Sequence, residues 1–174
     1  MNLWLVGPRG AGKTTVGRLA AARLGLRFAD VDAEIERRTG RPVAAIFAAD
    51  GEAGFRDAER TLMLELLARD GLVVATGGGC VLDPDVRKGL RRSGTAVWLE
   101  ARPATRTARI AGSARPALTL LGGGPEEERA VALAREPLYR ECAALRVATE
   151  DRTPEEVLED VEQFWRAAAR HDVR

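Results

Sequence analysis

Two cysteines, Cys80 and Cys142, are all that the 174-residue chain contains. They cannot build a framework of bridges, and two reduced thiols in a cytosolic protein are the plain expectation. Histidine is scarcer still: His171 stands alone near the carboxyl end, expected in a solvated tail, and no Cys and His cluster exists to hold a metal. A net charge of +1 supplies no large field for nucleic acid or a membrane surface. Long apolar runs are missing as well, because "NLWLV" stops at Gly7 and Pro8, far short of a signal peptide's apolar region or a membrane span. A cytoplasmic protein with no nucleic-acid or membrane partner is expected, and beside that a monomer. Lysine is the last shortage. Only Lys13 and Lys88 occur among 27 basic residues, so a bare arginine reads as composition while Lys13 stands out.

What is present is ordinary for a globular protein: 45% hydrophobic and 30% charged residues in a length suited to a single domain, 1–174. Apolar runs bounded by turn residues predict strands at 3–6, 27–30, 72–76, 95–100 and 145–149. Helical patterns lie between them. "TTVGRLAAARL" places Val16, Leu19, Ala20 and Leu24 on one face and ends at Gly25 as a C-cap. Asp83 with Pro84 reads as an N-cap and first helical residue, and Thr153, Pro154 and Glu156 as a capping box. Short apolar strands alternating with helices predict an α/β fold whose parallel sheet is covered on both faces.

The stretch "GPRGAGKTT" meets the pattern G-x-x-x-x-G-K-[ST] through Gly7, Gly12, Lys13 and Thr14. A strand delivers it and a helix leaves it, so backbone N–H groups and the helix dipole converge where a phosphate would sit. Gly10, Ala11, Gly12, Lys13, Thr14 and Thr15 are therefore candidate nucleotide-binding residues; Lys13 is expected to reach the terminal phosphates and Thr14 to hold magnesium. The side chains of Arg9 and Ala11 occupy variable positions and receive no role. A GTP-binding switch would show N-K-x-D and D-x-x-G, and neither string occurs. On the loop alone, gluconate-type and nucleotide kinases stay open.

Three further stretches bear on the acceptor. "FADVDAEIERRTG" ends a strand with Asp30 and Asp32, where ligands bind in open α/β sheets, although Asp32 would also serve as an N-cap. "IFAADGEAGFRDAER" brings together Phe47, Glu52, Phe55, Arg56 and Glu59; Arg56 and Glu59 could equally be a surface i, i+3 pair. "VVATGGGCV" ends a strand in Gly77, Gly78 and Gly79, which would let backbone approach a ligand or merely make a tight turn.

As an ordered set these stretches, with "GSARPAL" and "REPLY" further on, resemble the shikimate kinases over nearly the whole chain. The resemblance implies a P-loop fold with a five-stranded parallel sheet in the order 2-3-1-4-5 and a mobile lid over about 112–124. It implies transfer of the γ-phosphate of ATP, with Mg2+, to the 3-hydroxyl of shikimate on the way to chorismate and the aromatic amino acids. By the same resemblance Asp32 holds the acceptor hydroxyl and takes its proton, and Asp30 steadies the magnesium. Arg56 and Arg135 grip the substrate carboxylate, Glu59 orients Arg56, Gly78 and Gly79 present backbone, and Phe47 and Phe55 wall the pocket. Arg115 is the lid arginine that closes on the phosphates; Arg109, or else Arg106, meets the adenine. The chain departs from the family pattern after Arg115 and Pro116, where "ALTLLGGGPEEE" replaces two leucines, and Ala75 stands near the usual Walker B aspartate.

Overall fold

The computed structural model describes residues 1–110 and 124–171. Its sheet consists of β1 (Asn2–Val6), β2 (Arg27–Asp30), β3 (Leu72–Ala75), β4 (Gly94–Glu100) and β5 (Leu145–Ala148). They lie in the order β2-β3-β1-β4-β5 with every neighbouring pair parallel, as the resemblance implied. All five residues of β1 are buried, which is why residues 3–6 are apolar without alternation, while the Asn2 amide donates to the Arg69 carbonyl and accepts from the Leu72 N–H.

Successive strand residues point to opposite faces, and each face closes its own core. Trp4, Val6, Val74 and Trp98 pack beneath α2 (Val31–Thr39), α3 (Val43–Leu67), α4 (Pro84–Arg92) and α6 (Gly124–Cys142). Leu3, Leu5, Val73, Val97 and Leu99 pack beneath α1 (Lys13–Leu24) and α7 (Pro154–His171). Each such side chain contributes about 1.5–3 kcal/mol when removed from water. A short helix, α5 (Pro103–Ile110), follows β4.

The expected caps form. Gly25 ends α1 at φ 67°, Asp83 accepts from the N–H groups of Asp85 and Val86 at the head of α4, and Thr153 and Glu156 bond reciprocally at the head of α7. The buried face of α1 differs from the expected one. Val16, Gly17, Ala20 and Ala21 are buried, whereas Leu19 and Leu24 are only partly covered. Gly17 is the reason: a Cβ there would lie 2.7 Å from Phe28 Cε2 and 3.2 Å from Leu5 Cδ1, so the helix seats its backbone directly on the sheet. Helix α3 is interrupted at Gly51, whose φ of 71° suits glycine. Both cysteines are free and buried, and burial pushes the thiol of Cys80 up to about 12 and that of Cys142 up to about 11, which keeps them neutral and inert.

Candidate active site

The turn from β1 into α1 needs its glycines twice over. Gly7, Gly10 and Gly12 have φ of 137°, 77° and 92°, and a Cβ on Gly7 would run into the carbonyl of Leu99 while one on Gly10 would lie 2.8 Å from that of Arg106. Inside the turn, Lys13 Nζ donates to the carbonyls of Gly7 and Pro8 at 2.8 Å each. Lys13 thus ties the loop together as well as charging it, a structural task that the motif alone does not reveal. The loop floors a cleft of about 600 Å³ lined by Gly10, Gly12, Lys13, Thr14 and Thr15 together with Asp30, Asp32, Thr76 and Arg109. Ala11 is absent from this lining because its side chain is buried in the core under α1, which leaves only its main chain for a ligand.

The structure separates the two arginines before the lid. Arg109 donates to the Gly10 carbonyl at 3.3 Å and to Thr149 Oγ1 and O at 2.9 and 2.8 Å, and it lines the cleft. Arg106 is 3% exposed, donates from Nε to the Ala101 carbonyl at 3.2 Å, and does not line the cleft. Thr76, Thr149 and Arg152 also line it and were not singled out from the sequence, and Pro154, read there only as part of a cap, lines it too. Their signal was available, since Thr76 and Thr149 each directly follow a strand, at the edge where parallel sheets bind ligands.

Asp30, not Asp32, is the N-cap of α2: its Oδ1 accepts from the Ala33 N–H at 3.2 Å. That removes the capping account of Asp32, which sits in the first turn of the helix instead. The other oxygen of Asp30 accepts from the Thr14 hydroxyl at 2.7 Å. A hydroxyl and a carboxylate so close are hard oxygen donors of the kind Mg2+ takes, with phosphate oxygens and water to complete an octahedron.

A second, narrower cavity of about 60 Å³ adjoins the first. Phe47 and Phe55 wall it with ring centroids 4.8 Å apart, and Arg135 reaches it from α6. Arg56 Nη1 donates to Glu59 Oε2 at 2.6 Å, and its Nε and Nη2 donate to Glu52 at 3.2 and 3.1 Å. Glu59 is only 3% exposed, so the pair is no surface decoration. Burial raises the Glu59 carboxyl above its ordinary range; the charge of Arg56 opposes that shift and the charge of Asp32 adds to it. Burial works against the charge on Arg56 too, but Glu59 and Glu52 outweigh it and hold the guanidinium above its usual value.

The three glycines have distinct reasons. A Cβ on Gly77 would collide with Glu59 Oε1, and one on Gly79 with the guanidinium of Arg56. Neither has the left-handed φ that would itself demand glycine, so the run makes room for the Arg56 and Glu59 pair. Gly78 is least crowded, with 3.6 Å to the nearest atoms, and its carbonyl accepts from the Tyr139 hydroxyl at 2.5 Å.

Arg9, Asp32 and Gly78 line both cavities. Sequence reasoning placed Asp32 and Gly78 there and left Arg9 out. It also missed Glu128 and Tyr139 on α6, which line the narrower cavity and carry no motif of their own. Arg115 and the lid expected over 112–124 lie outside the described residues, apart from Gly124, which opens α6.

A family model described as shikimate kinase matches residues 9–166. The shikimate kinase of Symbiobacterium thermophilum is 44% identical over 163 residues, spanning 92% of this chain and 94% of that protein. That of Pseudomonas aeruginosa is 45% identical over 162 residues, spanning 92% and 94%. The solved structure of shikimate kinase from Acinetobacter baumannii in complex with shikimate matches with a TM-score of 0.88 at 39% identity, covering 94% of this chain and 91% of that one.

Proposed function

The chain belongs to the shikimate kinase family, and from that premise we propose how its two cavities divide the family's reaction. The activity is phosphorylation of the 3-hydroxyl of shikimate by ATP, in the pathway to chorismate and the aromatic amino acids. The wide cleft over the phosphate loop takes ATP. Backbone N–H groups of residues 10–15 cradle its phosphates, Lys13 turns from its loop carbonyls to the β- and γ-phosphates, and Arg109 flanks the base. Thr14 and Asp30 hold Mg2+, which when bound offsets phosphate charge. The narrow cavity takes shikimate: Arg56 and Arg135 hold the carboxylate, Glu59 aims Arg56, and Phe47 and Phe55 cover the ring.

Asp32 stands on the shared wall, which is where the acceptor hydroxyl must meet the γ-phosphate. In the transfer the bond from the γ-phosphorus to the β–γ bridging oxygen breaks as the bond to the shikimate oxygen forms, and the hydroxyl proton passes to Asp32. Arg115 keeps the phosphate-closing role that family resemblance assigns it. Both cores share one sheet, which supports reading residues 1–174 as one domain.

The observation that carries this division is the common lining of the two cavities by Arg9, Asp32 and Gly78, since in-line transfer needs donor and acceptor to meet across a single wall. A coupled assay of ADP release tests it. ADP is expected with shikimate and not with gluconate, nucleoside monophosphates or water alone. Equal release without any acceptor would sink the reading.

A further inference from the structure

Arg9 occupies a variable position of the phosphate loop, yet it borders both cavities. Its Nη1 donates to Glu128 Oε1 at 3.0 Å, across 119 residues of chain, and both side chains are 22% exposed. Glu128 sits near the head of α6 and lines the acceptor cavity beside Arg135. Arg106 lies against the phosphate loop at Gly10. It is 3% exposed, and its buried Nη1 has no hydrogen-bond partner among the described residues. Burial pushes the guanidinium of Arg106 below its usual pKa, and the charge of Glu128 works against that.

Glu128 thus bonds Arg9 directly, and its charge also bears on Arg106. The ion pair fixes the Arg9 guanidinium where the two cavities join. A guanidinium carries its donors in a planar fork matched to phosphate oxygens, so a charge fixed at that point suits a phosphoryl group. The loop backbone reads the phosphates of ATP, but a group that has moved to the acceptor has left part of that cradle behind.

We propose that Arg9 is a further phosphate-binding residue of this kinase, set by Glu128, which holds the phosphoryl group once it stands on the 3-oxygen of shikimate. Arg9 is the contacting residue, and Glu128 is a positioning residue that acts through it. This rests on the kinase reading above.

Calorimetric binding of shikimate and of shikimate 3-phosphate to wild type, Arg9→Met, Arg9→Lys, Glu128→Gln and the Arg9→Met/Glu128→Gln double variant tests the proposal. Loss of a charged hydrogen bond should weaken shikimate 3-phosphate about 10- to 150-fold in Arg9→Met, with a several times smaller effect on shikimate. Arg9→Lys should recover part of the loss. Glu128→Gln should show a smaller loss of the same selectivity, and the double variant should bind as Arg9→Met does, because the two side chains act as one unit. Equal weakening of both ligands, an unaffected phosphate ester, or losses that add in the double variant would each overturn it. Circular dichroism and the thermal midpoint report whether a variant is folded, and Arg9→Lys carries the comparison if Arg9→Met is not. A wild type that binds neither ligand would instead bring down the kinase reading itself.

Discussion

The two cavities are built on opposite plans. The cleft proposed for the nucleotide takes its floor from one unbroken stretch, residues 10–15, after the end of β1, and it is wide, at about 600 Å³. The acceptor cavity is about 60 Å³ and draws Arg56, Glu59, Gly77, Gly79 and Arg135 from α3, the turn after β3, and α6. Phosphate is recognised largely by backbone N–H groups, and these come in series along a chain. A small hydroxylated acid needs side chains converging from several directions. The first plan makes a motif, while the second makes a network in which each member is held by another.

Asp32 belongs to both cavities, so changing it should break the comparison most severely. Asp32→Asn is expected to slow single-turnover phosphoryl transfer by about 10² to 10⁴ with little change in either affinity. Because Asp30 caps α2, the thermal midpoint should hardly move. A normal rate would remove Asp32 from the chemistry.

Next, the cavities should fail in different coin. Lys13→Ala should cost about 10² to 10³ in kcat, since a charge aimed at the transferring group is lost, and should also loosen the loop that it ties at Gly7 and Pro8. Arg56→Ala should leave ATP binding alone and weaken shikimate about 10- to 150-fold. Titrating each ligand against both variants measures this, and matched losses of ATP and shikimate in Arg56→Ala would contradict the division.

The glycine run sharpens the contrast further. Gly79→Ala places a Cβ against the Arg56 guanidinium and should reproduce much of the Arg56→Ala defect, about tenfold in shikimate affinity, with ATP unaffected. Gly77→Ala, which displaces Glu59, should act in the same direction, and Gly78→Ala, with 3.6 Å of clearance, should lose less than either. If Gly78→Ala proved the most damaging of the three, room for Arg56 and Glu59 would not be the reason for the run.

The smallest effect concerns pH. Burial holds the Glu59 carboxyl above the ordinary carboxylate range, so acid should uncouple it from Arg56 sooner than it would neutralise a solvated glutamate. The kcat/KM for shikimate should fall as pH drops through that raised value while the KM for ATP stays flat, and Glu59→Gln should abolish this limb. Stability runs the other way. A raised carboxyl favours the fold below its unfolded pKa, and that contribution is lost as pH rises through the folded one. Glu59→Gln should therefore lose less stability than wild type over that rise, as thermal melts at a series of pH values would show.

By itself the sequence determined the strands, the caps of α1, α4 and α7 and the phosphate loop, because each depends on residues within a turn or two of one another: apolar runs, a glycine with positive φ, an Asp before a Pro. It also offered, through family resemblance, Asp32, Arg56 and Arg135 as site residues, and the structure brings all three to the narrower cavity. Only the tertiary structure decided that Asp30 rather than Asp32 caps α2, that Gly17 rather than the leucines seats α1, that Gly77 and Gly79 clear space for Glu59 and Arg56, and that Arg109 rather than Arg106 faces the nucleotide cleft. It alone joined Arg9 to Glu128 across 119 residues. These outcomes turn on close approaches between distant segments, and local propensity carries no information about which backbone will come to lie against which side chain once the sheet has twisted and its two faces have closed.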